Sequence, residues 1–129
     1  RFVATIESGA HDVYKNALIK ATSDDTVYTV CMSKFWPNAT HRIIRNSTFN
    51  LWEGAGNPQE GAKPGENDVI ASHGSYEVKR YFPNAPHGNY EGDIEAMALY
   101  AGTGVNDIND IPTVEVLLKR LWKEYCQKS

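Results

Sequence analysis

The sequence has no excess of positive charge and no long apolar run. Its 13 Lys and Arg residues stand against 16 Asp and Glu residues, which gives a formal net charge of -3. A general nucleic-acid binder needs basic residues to meet phosphates, and a membrane-spanning helix needs about 20 apolar residues in a row. We therefore expect neither nucleic acid nor a membrane as a partner. The chain also lacks the charged and apolar regions of a signal peptide.

Closely spaced metal ligands are absent as well. No Cys-x-x-Cys pair occurs, and none of the four histidines stands four residues from another. Since structural zinc sites use such spacings, we predict no metal. Ser72-His73-Gly74 lacks the glycines of a nucleophile elbow, so we interpret His73 as a surface-loop residue.

With 129 residues, of which 41% are hydrophobic, the chain is expected to form one domain with a modest core. Residue 1 is Arg, the only methionines are Met32 and Met97, and the opening residues are apolar. These features favour a piece of a longer protein.

Hydrophobic periodicity predicts two clear helices and two strands. In the first helix, Lys15 and Lys20 are expected on the outer face. The segment 93–100 is predicted to be a short helix with an acidic first turn, and 42–52 is expected to be partly helical. The Gly- and Pro-rich segment 54–68 is expected to be a mobile surface loop, and 69–89 to be irregular. The helices are predicted over 11–21 and 113–127, and the strands over 1–6 and 26–33.

Three polar motifs allow a chemical and a structural interpretation. The acidic residues Glu91, Asp93 and Glu95 are explained more simply by a helix start than by acid–base catalysis. The basic stretch 41–45 fits a phosphate or a carboxylate, but we favour a solvated patch. Gly102-Thr103-Gly104 lacks the third glycine of a dinucleotide fingerprint, which favours an ordinary turn over a phosphate cradle.

Cysteine usage leaves a second class of function open. Cys31 and Cys126 fit either reduced thiols or one disulfide, and two glycosylation sequons begin at Asn38 and Asn46. A secreted, disulfide-bonded, glycosylated binding module is therefore an alternative. We favour reduced thiols and a cytoplasmic protein.

Three segments, taken in order, resemble a known enzyme family. RFVATIESGAHDVYKNALIKATSDDTV (1–27), HRIIRNSTFNLWE (41–53) and LYAGTGVNDINDIPTVEVLLKRL (99–121) are similar to the C-terminal part of nitronate monooxygenases, formerly called 2-nitropropane dioxygenases. Related flavin enoyl reductases share the first segment. The resemblance covers nearly all of the chain outside 54–89.

The resemblance implies an α/β fold, namely the C-terminal portion of a (β/α)₈ TIM barrel with a small cap subdomain inserted after the last strand. Residues 1–25 would form the last barrel strand and the following helix. Residues 26–98 would form the cap, with its flexible loop at 54–68, and 99–129 would return to the barrel rim and end in a helix. We expect six aromatic residues to build the cap and to bury a large apolar area there: Trp36, Phe49, Trp52, Tyr76, Tyr81 and Phe82.

The resemblance also implies an FMN-dependent oxidoreductase that oxidises alkyl nitronates with O₂, with an enoyl reductase of the same fold as an alternative. The family's catalytic histidine and main phosphate-binding residues lie upstream, so no catalytic residue is expected in this chain and the isolated segment is expected to be inactive. Gly102, Thr103 and Gly104 are predicted to approach FMN at the barrel mouth. The expected partner is the remainder of the barrel.

Overall fold

The computed structural model describes residues 1–128, which contain three α-helices and five β-strands. Short 3₁₀ turns connect several of them. The helices are α1 (Asp12–Lys20), α2 (Ser47–Gly54) and α3 (Val114–Lys128). The strands are β1 (Thr26–Thr29), β2 (His41–Ile44), β3 (Val69–His73), β4 (Tyr76–Lys79) and β5 (Glu91–Gly92).

The helices begin where the sequence supplies a capping side chain. His11 Nδ1 accepts a hydrogen bond from Val13 N–H at the start of α1, at 3.1 Å. Asn46 Oδ1 accepts one from Phe49 N–H at the start of α2, at 3.0 Å. Both side chains satisfy backbone donors that have no partner inside the helix. The predictions of α1 and α3 are confirmed, apart from a residue or two at each end.

The strands form two separate antiparallel sheets. β1 pairs with β2 as a hairpin, and its backbone register places Tyr28 opposite Arg42 and Val27 opposite Ile43. β3 lies between β4 and β5 in the second sheet. The segment 99–101 continues beside β2, since Ile44 N–H donates to Leu99 O and Ala101 N–H donates to Arg42 O.

The predicted strand over 1–6 is wrong. Phe2–Ala4 is a 3₁₀ turn, and the Thr5 hydroxyl donates to Phe2 O at 2.8 Å. A strand requires a neighbour for its backbone groups, and within residues 1–128 this segment pairs with none. Lys15 was also predicted on the wrong face, because it is buried with Nζ 3.5 Å from Ile6 O.

Of two further segments, 69–89 is more regular than its sequence pattern indicates, and 93–100 is less regular. The segment predicted to be irregular, 69–89, holds the β3–β4 hairpin, whose turn contains Gly74 at a φ of 60°. Over 93–100, only Ile94–Ala96 is helical, as a 3₁₀ turn. The acidic side chains near it gave a helix-start signal, but the chain there extends to pair with β2.

Beyond Gly54, the last residue of α2, the Gly- and Pro-rich loop 54–68 contains no regular element, as predicted, but hydrogen bonds attach it to the rest of the protein. Trp52 Nε1 donates to Pro58 O at 2.9 Å, and the Tyr81 hydroxyl donates to Pro64 O at 2.7 Å. The Lys63 ammonium is buried and donates to Cys31 O and Ser33 Oγ at 3.1 and 2.9 Å. The loop that the sequence predicts on the surface therefore buries one of its side chains.

The six aromatic residues assigned to a cap do not share one environment. Phe49, Trp52 and Tyr81 pack in one core cluster with Cys31 and Ile43. Phe82 packs against a second cluster around β3 and β4. Trp36 and Tyr76 are 66% and 47% exposed, so the prediction of burial is wrong for these two.

Candidate functional site

A cavity of about 520 Å³ lies where β2, α1 and the segment 99–108 meet. We call it the Arg42 cavity. Its size is in the usual range for small-molecule sites. Its lining comprises Arg1, Val3, Tyr14, Leu18, Arg42, Tyr100, Ala101, Gly102, Gly104, Val105, Asp107 and Ile108.

The fold brings two sequence motifs together in this cavity. Ala101 N–H donates to Arg42 O at 3.2 Å, so the glycine motif directly follows a residue that is bonded to β2. Gly102 is the N-cap of the 3₁₀ turn Thr103–Asp107 and has a φ of -82°. An added Cβ at Gly102 or Gly104 meets no atom within 4 Å. Neither glycine is required by the backbone here, and the space beside both is open to a ligand.

Strand β2 holds the arginine of the cavity. Successive side chains of a strand point to opposite faces, and His41 and Ile43 pack against the cluster around Trp52 while Arg42 lines the cavity. The half-buried Arg42 guanidinium donates to Thr26 Oγ1 at 3.2 Å and lies 5.7 Å from the centre of the Tyr28 ring. The Thr26 hydroxyl in turn donates to Ser23 O at 2.7 Å, and this hydrogen bond holds Thr26 Oγ1 in place as the acceptor for Arg42.

Two phenols of the cavity are hydrogen-bond donors. The Tyr14 hydroxyl donates to Tyr100 O at 2.5 Å, and the Tyr100 hydroxyl donates to Pro83 O at 2.7 Å. Burial, together with the nearby Tyr100 phenol, raises the pKa of Tyr14 to about 12. Burial also raises the pKa of Tyr100 above its usual value. Neither phenol can act as a base near neutral pH, and no histidine lines the cavity.

A second groove, of about 580 Å³, separates α1 from α2. Its arginine, Arg45, forms an ion pair with Glu53 at 3.0 Å. Three carboxylates also line it, those of Asp25, Asp93 and Glu95. Lys20 also lines this groove, so three carboxylates stand against one cation outside the Arg45–Glu53 ion pair. This excess of negative charge makes the Arg42 cavity the stronger candidate for an anionic ligand.

The structure removes two supports of the secreted alternative. Cys31 is fully buried, Cys126 lies exposed on α3, and the two do not form a disulfide. Asn46 is also buried, and both ends of its amide are used: Oδ1 accepts from Phe49 N–H and Nδ2 donates to Met97 O at 2.8 Å. A glycan cannot be attached to that amide in the folded chain.

Within residues 1–128, no helix is both long and apolar enough to cross a bilayer. Over the same residues, His, Cys, Asp and Glu side chains nowhere gather in a group of three or more that could hold a metal ion.

Sequence reasoning singled out the glycine motif and the basic stretch 41–45, but it did not bring them together. It missed Tyr14 as a lining residue. The alternation of β2 was the available signal, because it separates Arg42 from the buried Ile43 and the half-buried His41. The pairing of 99–101 with β2 is a long-range contact that no local pattern shows.

No family model and no curated protein matches the chain. Among solved structures, FabK from Thermotoga maritima superposes on 99% of the chain with a TM-score of 0.65 and 25% sequence identity. An M276A mutant of the same protein superposes with a TM-score of 0.55 and 22% identity. The chain covers 35% and 32% of these two structures, so it spans about a third of their length. The chain therefore has an α/β fold that occurs as one part of FabK.

Proposed function

We propose that this chain is the C-terminal part of an FMN-dependent oxidoreductase with a (β/α)₈ barrel. The observation that carries the proposal is the FabK likeness, which covers nearly the whole chain at 25% identity. The ordered resemblance of 1–27, 41–53 and 99–121 to flavin barrel enzymes supports it independently. In this proposal residues 26–98 form a cap over the barrel mouth.

The Arg42 cavity fits one edge of a flavin site. It offers open space beside Gly102 and Gly104 and a guanidinium that forms no ion pair within residues 1–128. In the proposal, the backbone of 102–104 approaches the cofactor while residues upstream of Arg1 hold most of it. The bound flavin would supply the electron-accepting and electron-donating chemistry. The chain's own contribution is shape and positive charge.

Two substrate classes follow from the two branches of the resemblance. The sequence segments favour a nitronate monooxygenase, which oxidises alkyl nitronates with O₂. The structural likeness favours an enoyl reductase, since we take FabK as a representative of that branch. An enoyl reductase needs a reduced nicotinamide as electron donor. Rapid bleaching of the flavin by NADH or NADPH would assign the reductase, and turnover of a nitronate with O₂ and without nicotinamide would assign the monooxygenase.

Flavin binding tests the proposal in the protein that contains the upstream region. We expect a yellow preparation, or one that gains flavin absorbance when FMN is added. A preparation that stays colourless after addition of FMN would disprove the proposal.

Substitution at the glycine motif tests the predicted site. The leucine side chain of Gly104→Leu enters open space, so the free energy of unfolding of this variant should stay close to that of the wild type. Its FMN affinity should fall at least about tenfold, because the side chain clashes with the ligand. Gly9→Leu is the matched control, because a Cβ at Gly9 also meets no atom within 4 Å. Unchanged FMN affinity in the Gly104 variant would make 102–104 an ordinary turn.

A further inference from the structure

Arg42 differs from the other arginines of the chain. Four of the five arginines form ion pairs, and Arg42 forms none within residues 1–128. Asp107 also lines the Arg42 cavity but forms no ion pair with Arg42. The four ion pairs are Arg1–Glu124, Arg45–Glu53, Arg80–Asp68 and Arg120–Asp110.

The Arg42 side chain is held in place without being neutralised. It is half-buried and uses one donor on Thr26 Oγ1 within the described chain. A guanidinium presents several N–H donors in a rigid plane. Holding a partly desolvated cation costs free energy unless an anion accompanies it. Arg42 lines a cavity of about 520 Å³, which leaves room for that anion.

We propose that Arg42 binds a phosphate group of a ligand that enters the Arg42 cavity. A phosphate matches a guanidinium fork in two parallel hydrogen bonds. Arg1 lines the same cavity and adds positive charge, although Glu124 shares it. The open space at Gly102 and Gly104 leaves room for a tetrahedral group beside the backbone. The phosphate contact goes beyond the proposed function and does not depend on it. Only the assignment of the phosphate to the flavin or to the substrate rests on the proposed function.

The first experiment measures binding of inorganic phosphate to the intact protein by calorimetry. Arg42→Gln should weaken phosphate binding at least about tenfold, and Arg42→Lys should weaken it less, because lysine keeps the charge and loses the fork. Arg45→Gln is the matched control, since Arg45 lies just beyond the same strand and is already paired with Glu53. An unchanged phosphate affinity in Arg42→Gln, or an equal loss in Arg45→Gln, would overturn the proposal. Should Arg42→Gln fail to fold, Arg42→Lys decides: a smaller but measurable loss of phosphate affinity supports the proposal, and an unchanged affinity overturns it.

The second experiment identifies the source of the phosphate by comparing FMN with riboflavin, which lacks it. If the group belongs to the flavin, Arg42→Gln weakens FMN and leaves riboflavin unchanged. If it belongs to the substrate, both flavin affinities stay unchanged, and phosphate competes with substrate in the wild type and not in Arg42→Gln. Loss of both flavin affinities in equal measure would contradict a phosphate contact. A protein that binds no flavin would disprove the proposed function and leave the calorimetric result standing.

Discussion

Single side chains in this protein are held by specific hydrogen-bond partners, and His41 is the clearest case. Its Nε2 accepts a hydrogen bond from Met32 N–H at 3.2 Å, while Nδ1 lies 3.0 Å from Ala39 O. This pattern requires the neutral ring with its proton on Nδ1. Burial lowers the pKa of His41 below its usual 6.5, the nearby Lys63 ammonium acts in the same direction, and the Ala39 contact opposes both.

The sign of this shift predicts acid sensitivity. Because the unfolded chain binds the proton more readily, the contribution of neutral His41 to the free energy of unfolding is fully present above pH 6.5. It falls as the pH drops below 6.5 toward the lower pKa of the folded state. His41→Gln keeps an acceptor for Met32 N–H and cannot be protonated, so this decline should shrink. Urea unfolding at several pH values measures it. The exposed His73→Gln is the control, and an identical decline in the His41 variant would contradict the assignment.

Gly92 is the position where a side chain is least tolerated. Its φ is 127°, and an added Cβ would lie 2.5 Å from Ile70 O and 2.9 Å from Ala71 Cα on the neighbouring strand. We predict that Gly92→Ala lowers the free energy of unfolding by roughly 2 kcal/mol or more, because both backbone strain and a clash arise. Gly104→Ala should be nearly neutral. Equal denaturation midpoints for these two variants would show that β5 can move away from β3.

At the scale of elements, local patterns predicted those parts whose stability is local. α1 and α3 have apolar stripes and a capping side chain within or directly before their own segments, and both were predicted. The strand over 1–6 was predicted from its local apolar pattern and is absent, because pairing is decided by distant residues. The Arg42 cavity was out of reach for the same reason, since it depends on the contact between 99–101 and β2.

The loop 54–68 gives a prediction at this scale. Tyr81→Phe removes the hydrogen bond to Pro64 O and should destabilise the protein by about 1 kcal/mol. It should also speed proteolytic cleavage within the loop, because one of its anchors is lost. Tyr76→Phe alters an exposed phenol and serves as the control. If both variants are cleaved at the same rate, the Tyr81 hydroxyl does not hold the loop.

At the scale of the whole molecule, α3 has two apolar sides with different exposure. Leu117 is 2% exposed and faces the rest of the chain, while Leu118 and Trp122 are 52% and 67% exposed. Phe2, Val3 and Ile6 are exposed as well, at 49%, 41% and 62%. Exposed apolar surface of this kind is typical of an interaction site. We propose that the upstream part of the protein covers it.

This proposal predicts that Trp122→Gln has a different effect on stability in the 129-residue chain than in the intact protein. In the 129-residue chain alone, Trp122→Gln should change the free energy of unfolding by less than about 0.5 kcal/mol, and Leu117→Ala should cost about 3 kcal/mol. In the intact protein, Trp122→Gln should become costly as well, by roughly 2 kcal/mol, because a buried aromatic surface is lost. Denaturant titrations of both forms measure the difference. A neutral Trp122→Gln in the intact protein would leave the outer side of α3 exposed to solvent.

The closure between the first residues and α3 has a consequence for the order of folding. Glu7 accepts hydrogen bonds from Val114 N–H across 107 positions of sequence, and Ile6 N–H donates to Pro112 O. Contacts so distant in sequence close a large loop, and that entropic cost delays them relative to hairpins such as β3–β4. During synthesis on the ribosome, α3 emerges after every other described element. The Ile6 amide and the Glu7 carboxylate must therefore remain without these partners until residues 112–114 have been synthesised.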